Sequence, residues 1–316
     1  FGGDAIVFGA ADSIRLKGTH TATDANGDIQ VISPLVMVGD AQFVGNDVTF
    51  QNTINDDGSV GTDSDLQVDA DGVTAFQDDV GGSIPIDSIT TDAPGETRVA
   101  DGAPITIHTS GSTQTYNNPF ILTNDTTLTD TGSGVFFNNT VDGDSNGPWD
   151  LTVNTAGTTQ FGDDAGDEVG GTDALATLTT DAPGVTNINT RLVRTKGGVI
   201  DLLDDVTLGF VGTTVIDSTD NDAVSSGGTI TFGGTLDGTT ARAQELTLDA
   251  GTAGNIDFDA AVGGGTRLGD LRSDRAVDVS ADAGVTVESL AFDAGDVSGN
   301  AVFDAFINTN GASGGN

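Results

Sequence analysis

The sequence predicts an all-β protein wound as a right-handed parallel β-helix. Three observations carry that prediction: short alternating strands along the whole chain, scarce helix signals, and a long internal repeat. The segments beginning at Ile29 (IQVI), Val48 (VTF), Ile105 (ITI), Leu151 (LTV), Ile230 (ITF) and Leu246 (LTL) alternate apolar and polar residues. Gly, Asn or Asp follows each within a few positions, which is the pattern of short strands with one buried face. Lys, Arg, Glu and Met are few, while 46 glycines and abundant Thr and Asp penalise helix in every window.

The repeat becomes visible in the hexapeptide TTDAPG, found at Thr90–Gly95 and again at Thr179–Gly184, 89 positions later (179 − 90). It is one landmark among several. Val48-Thr49-Phe50, Val135-Phe136-Phe137 and Ile230-Thr231-Phe232 each open a segment of the form apolar, x, Phe, two small or polar residues, Thr, apolar. An acidic residue then opens a strand at Asp65, Asp150 and Glu245, a Phe follows at Phe76, Phe161 and Phe258, and a Gly-Gly pair at Gly81, Gly170 and Gly263. Strands from Ile86, Leu175 and Leu268 complete the block, and the third leads into the degenerate RSDRAV from Arg272.

These landmarks divide the chain into an N-terminal strand-rich segment that starts the solenoid (1–47), three blocks of roughly 90 residues (48–134, 135–229, 230–300), and an apolar strand with a Gly-rich tail (301–316). Coils of about 20–25 residues would place four in each block. The alternative is a string of three β-sandwich domains. That architecture calls for linkers and an aromatic anchor in each core, whereas the chain has one Trp and one Tyr.

The strings ITFGGTLDG, ELTLDAGTAGNIDFDAAVGG and TRLGDL resemble the Gly- and Thr-rich repeats of filamentous haemagglutinin-like adhesins and autotransporter passengers. The resemblance covers about residues 48–300 and implies a right-handed β-helix on a bacterial surface. It is one of repeat style and brings no catalytic motif. The chain is shorter and more acidic than that group, and it has no recognisable secretion domain.

Forty-eight acidic residues against 10 basic ones give a formal charge of −38. That excludes nucleic acid as a partner, because phosphate binding needs Lys and Arg. It suits a salty or calcium-rich exterior, where self-repulsion is screened. There is no cysteine, and no apolar run reaches the ~18–20 residues of a membrane helix. The chain begins at Phe1 and its single Met is internal, so we read it as a processed, extracellular or cell-surface chain.

For chemistry, the sequence offers little to an enzyme. His20 and His108 are the only imidazoles, and neither lies near a nucleophile elbow. A β-helix acting on polysaccharide would need clustered carboxylates, of which Asp163, Asp164, Asp167 and Glu168 are the densest group. Sugar-stacking aromatics are limited to Trp149 and Tyr116. Calcium is the better candidate: Asp142, Asp144, Asn146 and Asp150 fit the first half of an acidic calcium loop, with Gly147 for the turn and Val153 in place of the closing Glu. Asp217, Asp220 and Asp222 form a looser set, and Asn55–Gly58 reads as a plain turn. Asn124 and Asn138 head glycosylation sequons.

The ends complete the reading. Ile6, Val7 and Phe8 at one end and Val302, Phe303, Phe306 and Ile307 at the other are apolar strand residues with no polar cap. They predict a homopolymer, a structural subunit of an extracellular fibre or surface layer that adds head to tail through its terminal strands. The alternatives are an adhesin stalk or passenger fragment, with cell-surface or matrix glycans as partners, and, more remotely, a polysaccharide-active enzyme.

Overall fold

The computed structural model describes residues 6–9, 12–22, 27–59, 61, 64–99, 102–292, 299–303 and 307–309. Among them the chain is all-β, every named strand pair is parallel, and the coils stack as a right-handed β-helix of about 12 turns. At ~4.8 Å per parallel strand this makes a rod of roughly 58 Å. One core runs through the whole rod without a break at any block boundary, which excludes a string of sandwiches.

Each turn presents three faces. Face one runs from Ile6–Phe8 through the 7-stranded sheet, crosses Val141, Val169 and Val193 by single bridges, and continues as the 6-stranded sheet from Leu192–Arg194. Face two runs from Ile14–Leu16 and Leu35–Met37 through Ile54, Val80 and Ile107 into the 9-stranded sheet. Face three is the long 11-stranded sheet, carried on from Leu236 by Val262 and Val285. The alternation seen in sequence becomes burial: in Ile105–Thr109 residues 105, 107 and 109 point in, while Thr106 and His108 face out.

Following the faces in chain order, eleven steps separate Val48 from Val135, and eleven more separate Val135 from Ile230. A block is therefore three and two-thirds turns, not the four that a uniform coil length suggests. Coil length is not uniform: the registers Ile29↔Val48 and Ile216↔Leu248 span 19 residues (48 − 29) and 32 residues (248 − 216). Because eleven is not a multiple of three, each block begins one face behind its predecessor. Equivalent residues thus lie on all three faces. Phe50 is on face one, Phe137 on face three and Phe232 on face two.

The landmarks now have physical reasons. Within each block the two phenylalanines stand on adjacent coils and stack: Phe50 on Phe76 at 5.3 Å, Phe137 on Phe161 at 5.4 Å, Phe232 on Phe258 at 5.1 Å. The Gly-Gly pair marks the narrow coil, held to its neighbours by a single bridge. Gly81, Gly170 and Gly263 all have positive φ, and an added Cβ would fall 2.0–2.3 Å from a backbone oxygen of the next coil. TTDAPG is a corner whose second Thr turns inward. Thr91 and Thr97 both donate to Asn118 Oδ1, at 2.9 and 2.8 Å. Eleven faces on, Thr186 donates to Asp204 Oδ2 at 2.9 Å and to Thr180 Oγ1 at 3.1 Å.

Aspartates staple the corners where the strand ladder lapses. Val73 N donates to Asp47 at 2.8 Å, Thr106 N to Asp79 at 2.7 Å, Thr235 N to Asp205 at 2.7 Å and Asn300 N to Asp278 at 2.6 Å. Each bond joins one coil to the next and satisfies a backbone N–H that has no strand partner.

Candidate functional site

The acidic loop proposed for calcium lies on face one. Asp142 sits in the strand Val141–Gly143, and the chain then turns through 144–150 with a cis Gly147-Pro148 bond. Three of the four candidate ligands, Asp142, Asp144 and Asn146, line one depression, and Asp150 is not part of its lining. Asp142 Oδ1 accepts from Thr172 N at 2.8 Å, and burial raises its carboxyl above the usual range. Asp150 Oδ1 accepts from Thr177 Oγ1 at 2.7 Å. Asp144 accepts from Asn146 Nδ2 at 2.5 Å and from Trp149 Nε1 at 2.7 Å. Burial pulls the Asp144 carboxyl upward, but those hydrogen bonds outweigh it and hold the group below its ordinary value.

The loop walls an open depression of about 540 Å³, lined by Arg98, Ile121, Asp142, Asp144, Asn146 and Asp173 among others. Arg98 faces out of strand Glu96–Val99, in line with Ile121 and Asp142 on the next two coils. Its guanidinium is paired with Glu96 at 2.5 Å. Trp149, held to Asp144 by its indole N–H, packs partly against the core. The depression is polar and wide, with one paired cation and two carboxylates already hydrogen-bonded.

The other acidic sets also resolve locally. Asp163, Asp164 and Asp167 come within 4.8 Å of one another, and Asp167 Oδ2 accepts the backbone N–H of both Asp163 and Asp164. Glu168 turns away to Arg191. Burial, Asp167 and Asp164 together raise Asp163. Asp217 is buried under its own turn, accepting from Thr219 and Asn221, while Asp220 and Asp222, both at positive φ, pair with Arg194 and Arg275. Asn55 and Asp56, read as part of a turn, close the strand Ile54–Asp56.

Of the sequon asparagines, Asn124 accepts from Asp125 N at 2.9 Å. Asn138 is held in a ladder, donating to Asn117 at 2.9 Å and accepting from Gln160 at 2.8 Å. The nitrogen that a glycan would take is thus engaged with Asn117.

At the ends, Ile6 and Phe8 pack partly on the core while Val7 is 54% exposed. Val302 and Ile307 are 48% and 44% exposed. Phe303 closes the strand Ala301–Phe303, and Phe306 lies outside the described residues. Ile6–Phe8 begins its sheet, and Ala301–Phe303 and Ile307–Asn308 end theirs, each with a strand on one side only among the described residues.

What sequence reasoning missed is the inward polar corner. Asp204 is 1% exposed, and its Oδ1 has no hydrogen-bond partner. Burial, aided by Asp181 and Asp205, pushes its carboxyl up to about 6. Its equivalent Asn118 is signalled only once the repeat is aligned through the fold.

No helix among the described residues is long and apolar enough to cross a membrane. No family model, curated protein or solved structure matches the chain.

Proposed function

We propose that the chain is a structural, non-catalytic rod of an extracellular fibre or surface layer, whose copies add end to end through their terminal coils. The observation that carries this reading is the pair of strand sets that, among the described residues, have a neighbour on one side only, bearing exposed Val7 at one end and exposed Val302 and Ile307 at the other. A parallel β-helix repeats the same backbone pattern every coil. The C-terminal edge of one copy therefore offers the N–H and C=O groups that the N-terminal edge of another lacks. Such a contact is heterologous and does not close, so it propagates as a filament. The charge of −38 opposes stacking, which makes assembly favourable in salt or divalent cations.

Negative-stain electron microscopy and light scattering in 0.15 M salt with millimolar calcium test it. We expect fibres of uniform width from the unaltered chain and dispersed short rods from a Val302→Lys, Ile307→Lys variant. Dispersed rods from the unaltered chain would sink the filament and leave a stalk within a longer surface protein.

A further inference from the structure

The corner where the chain passes from face two to face three, between strands Ile105–Thr109 and Thr113–Tyr116, holds a buried polar set that the fold does not require. Gln114 points inward, in register with Ile89 on the coil before and Val135 on the coil after. Counted back from the equivalent residues Asn118 and Asp204, Gln114 and Tyr116 correspond to Ile200 and Leu202. Those two fill the same core positions with aliphatic side chains. Burying an amide and a phenol where the fold accepts Ile and Leu is costly unless every polar atom is engaged. Here they are engaged with a hydroxyl and a carboxylate that can react with them.

Thr109 Oγ1 donates to Asp130 Oδ1 at 2.7 Å, and Asp130 Oδ2 accepts from Gly134 N at 2.7 Å and Gly132 N at 3.1 Å. Gln114 Nε2 faces three acceptors: Thr129 O at 2.8 Å, Ile107 O at 3.1 Å and Thr109 Oγ1 at 3.2 Å. Tyr116 Oη donates to Gln114 Oε1 at 3.0 Å. Burial holds the phenol above its ordinary range, so it keeps the proton it donates. The amide has one orientation, because turned over it would set Oε1 against two carbonyl oxygens. Its carbon is one bond beyond Nε2 and thus within about 4.5 Å of the Thr109 hydroxyl oxygen. Thr109, Gln114, Tyr116 and Asp130 are all buried.

We propose that Thr109 and Gln114 join in an intramolecular ester. Thr109 Oγ1 attacks Gln114 Cδ while Asp130 takes the hydroxyl proton, and the negative charge that develops on Oε1 is met by the Tyr116 hydroxyl. The tetrahedral carbon then expels Nε2, which takes the proton back from Asp130 and leaves as ammonia. The Oγ1–Cδ bond replaces the Cδ–Nε2 bond, Asp130 is restored, and no co-reactant is consumed. Fixed neighbours give the hydroxyl a high effective concentration at the amide, and the dry corner keeps water from the ester. It is a single self-modifying step without turnover. It ties the end of Ile105–Thr109 to the strand Thr113–Tyr116 across the turn at 110–112. End-to-end assembly plays no part in it.

Intact-mass spectrometry of the purified chain, followed over several days at pH 7.5, tests it. We expect a chain lighter than its sequence by one ammonia, with no fragment ions from cleavage between Thr109 and Gln114. Thr109→Val and Asp130→Asn should stay at full mass. So should Gln114→Ile, Tyr116→Leu, which installs the residues of the equivalent corner and should keep the wild-type circular dichroism. Tyr116→Phe should slow the loss of ammonia about 100-fold, the scale of one missing oxyanion donor. An unaltered chain that stays at full mass, a deficit that fragmentation places elsewhere, or one that persists in Thr109→Val would overturn the proposal. Loss of ammonia at the wild-type rate in Asp130→Asn or Tyr116→Phe would overturn the role given to that residue.

Discussion

Replacing Asp204 by Asn should stabilise the rod at neutral pH, and the chain itself holds the precedent. Eleven faces earlier the same corner contains Asn118, whose Oδ1 accepts both Thr hydroxyls. At Asp204 one carboxylate oxygen accepts from Thr186 and the other accepts nothing. Burying that charge lifts the carboxyl from 3.8 to about 6. The folded state therefore holds its proton to higher pH than the unfolded state does. Stability is lost as pH rises from about 4 to 6, and the penalty stays complete above that range. A displacement of this size corresponds to about 3 kcal/mol, and partial solvent screening brings the expected cost to about 1–3 kcal/mol. Asn removes the charge but leaves its own amide unpartnered, as Asn118 Nδ2 is, which returns part of the gain.

The measurement is thermal unfolding of both proteins at pH 4, 5, 6, 7 and 8 in 0.15 M salt. For a chain of this length about 2 kcal/mol moves the midpoint by about 3 °C. We expect the two midpoints to coincide near pH 4, separate between pH 4 and 6, and differ by about 2–4 °C in favour of Asp204→Asn at pH 7 and 8. The other 47 acidic residues shift both curves alike, so the difference is the readout. A constant difference across the range, or a less stable Asn variant at pH 8, would refute the assignment of an ionised, unpartnered carboxylate to this corner.

Two further outcomes follow from the repeat and from the acidic loop. Gly170→Ala should cost several kcal/mol, about 3–4, because the added methyl meets Arg194 O at 2.3 Å, whereas Gly102→Ala, with nothing within 4 Å, should cost only about 1 kcal/mol for its positive φ; chemical denaturation of both variants checks the contrast. Millimolar calcium should leave Trp149 emission unchanged, because its indole N–H stays on Asp144; a saturable shift abolished by Asp144→Asn would instead show that the loop rearranges to take the ion.

The period of the repeat could be read from the sequence because its landmarks are pinned by contacts no other residue makes: a ring on a ring, a glycine against a carbonyl, a threonine inside a corner. Its phase could not. Linear spacing converts to turns only at constant coil length, and the excursion 218–229 lengthens one coil to 32 residues (248 − 216). The hexapeptide match was likewise cut short, since the Thr that completes the polar cluster lies two positions beyond Gly95 and Gly184, after an unrelated residue. The loop at 142–150 was legible as an oxygen-rich turn. Its actual partners, Thr172 and Thr177, arrive from the next coil, 30 and 27 residues further along, where no local pattern announces them.

The same geometry changes what the acidity means. A cluster of aspartates in an ordinary domain suggests a cation, because carboxylates gathered without cause repel one another. Here the cause is visible at corner after corner. A three-faced coil interrupts its strand ladder three times per turn, and each interruption strands backbone N–H groups that need an acceptor. Aspartate reaches them from the coil below with one short arm and a charge-assisted bond. Asn would serve with a weaker acceptor, and Lys or Arg with none. Much of the −38 charge is then a by-product of stacking many corners, spread along a rod where solvent screens it.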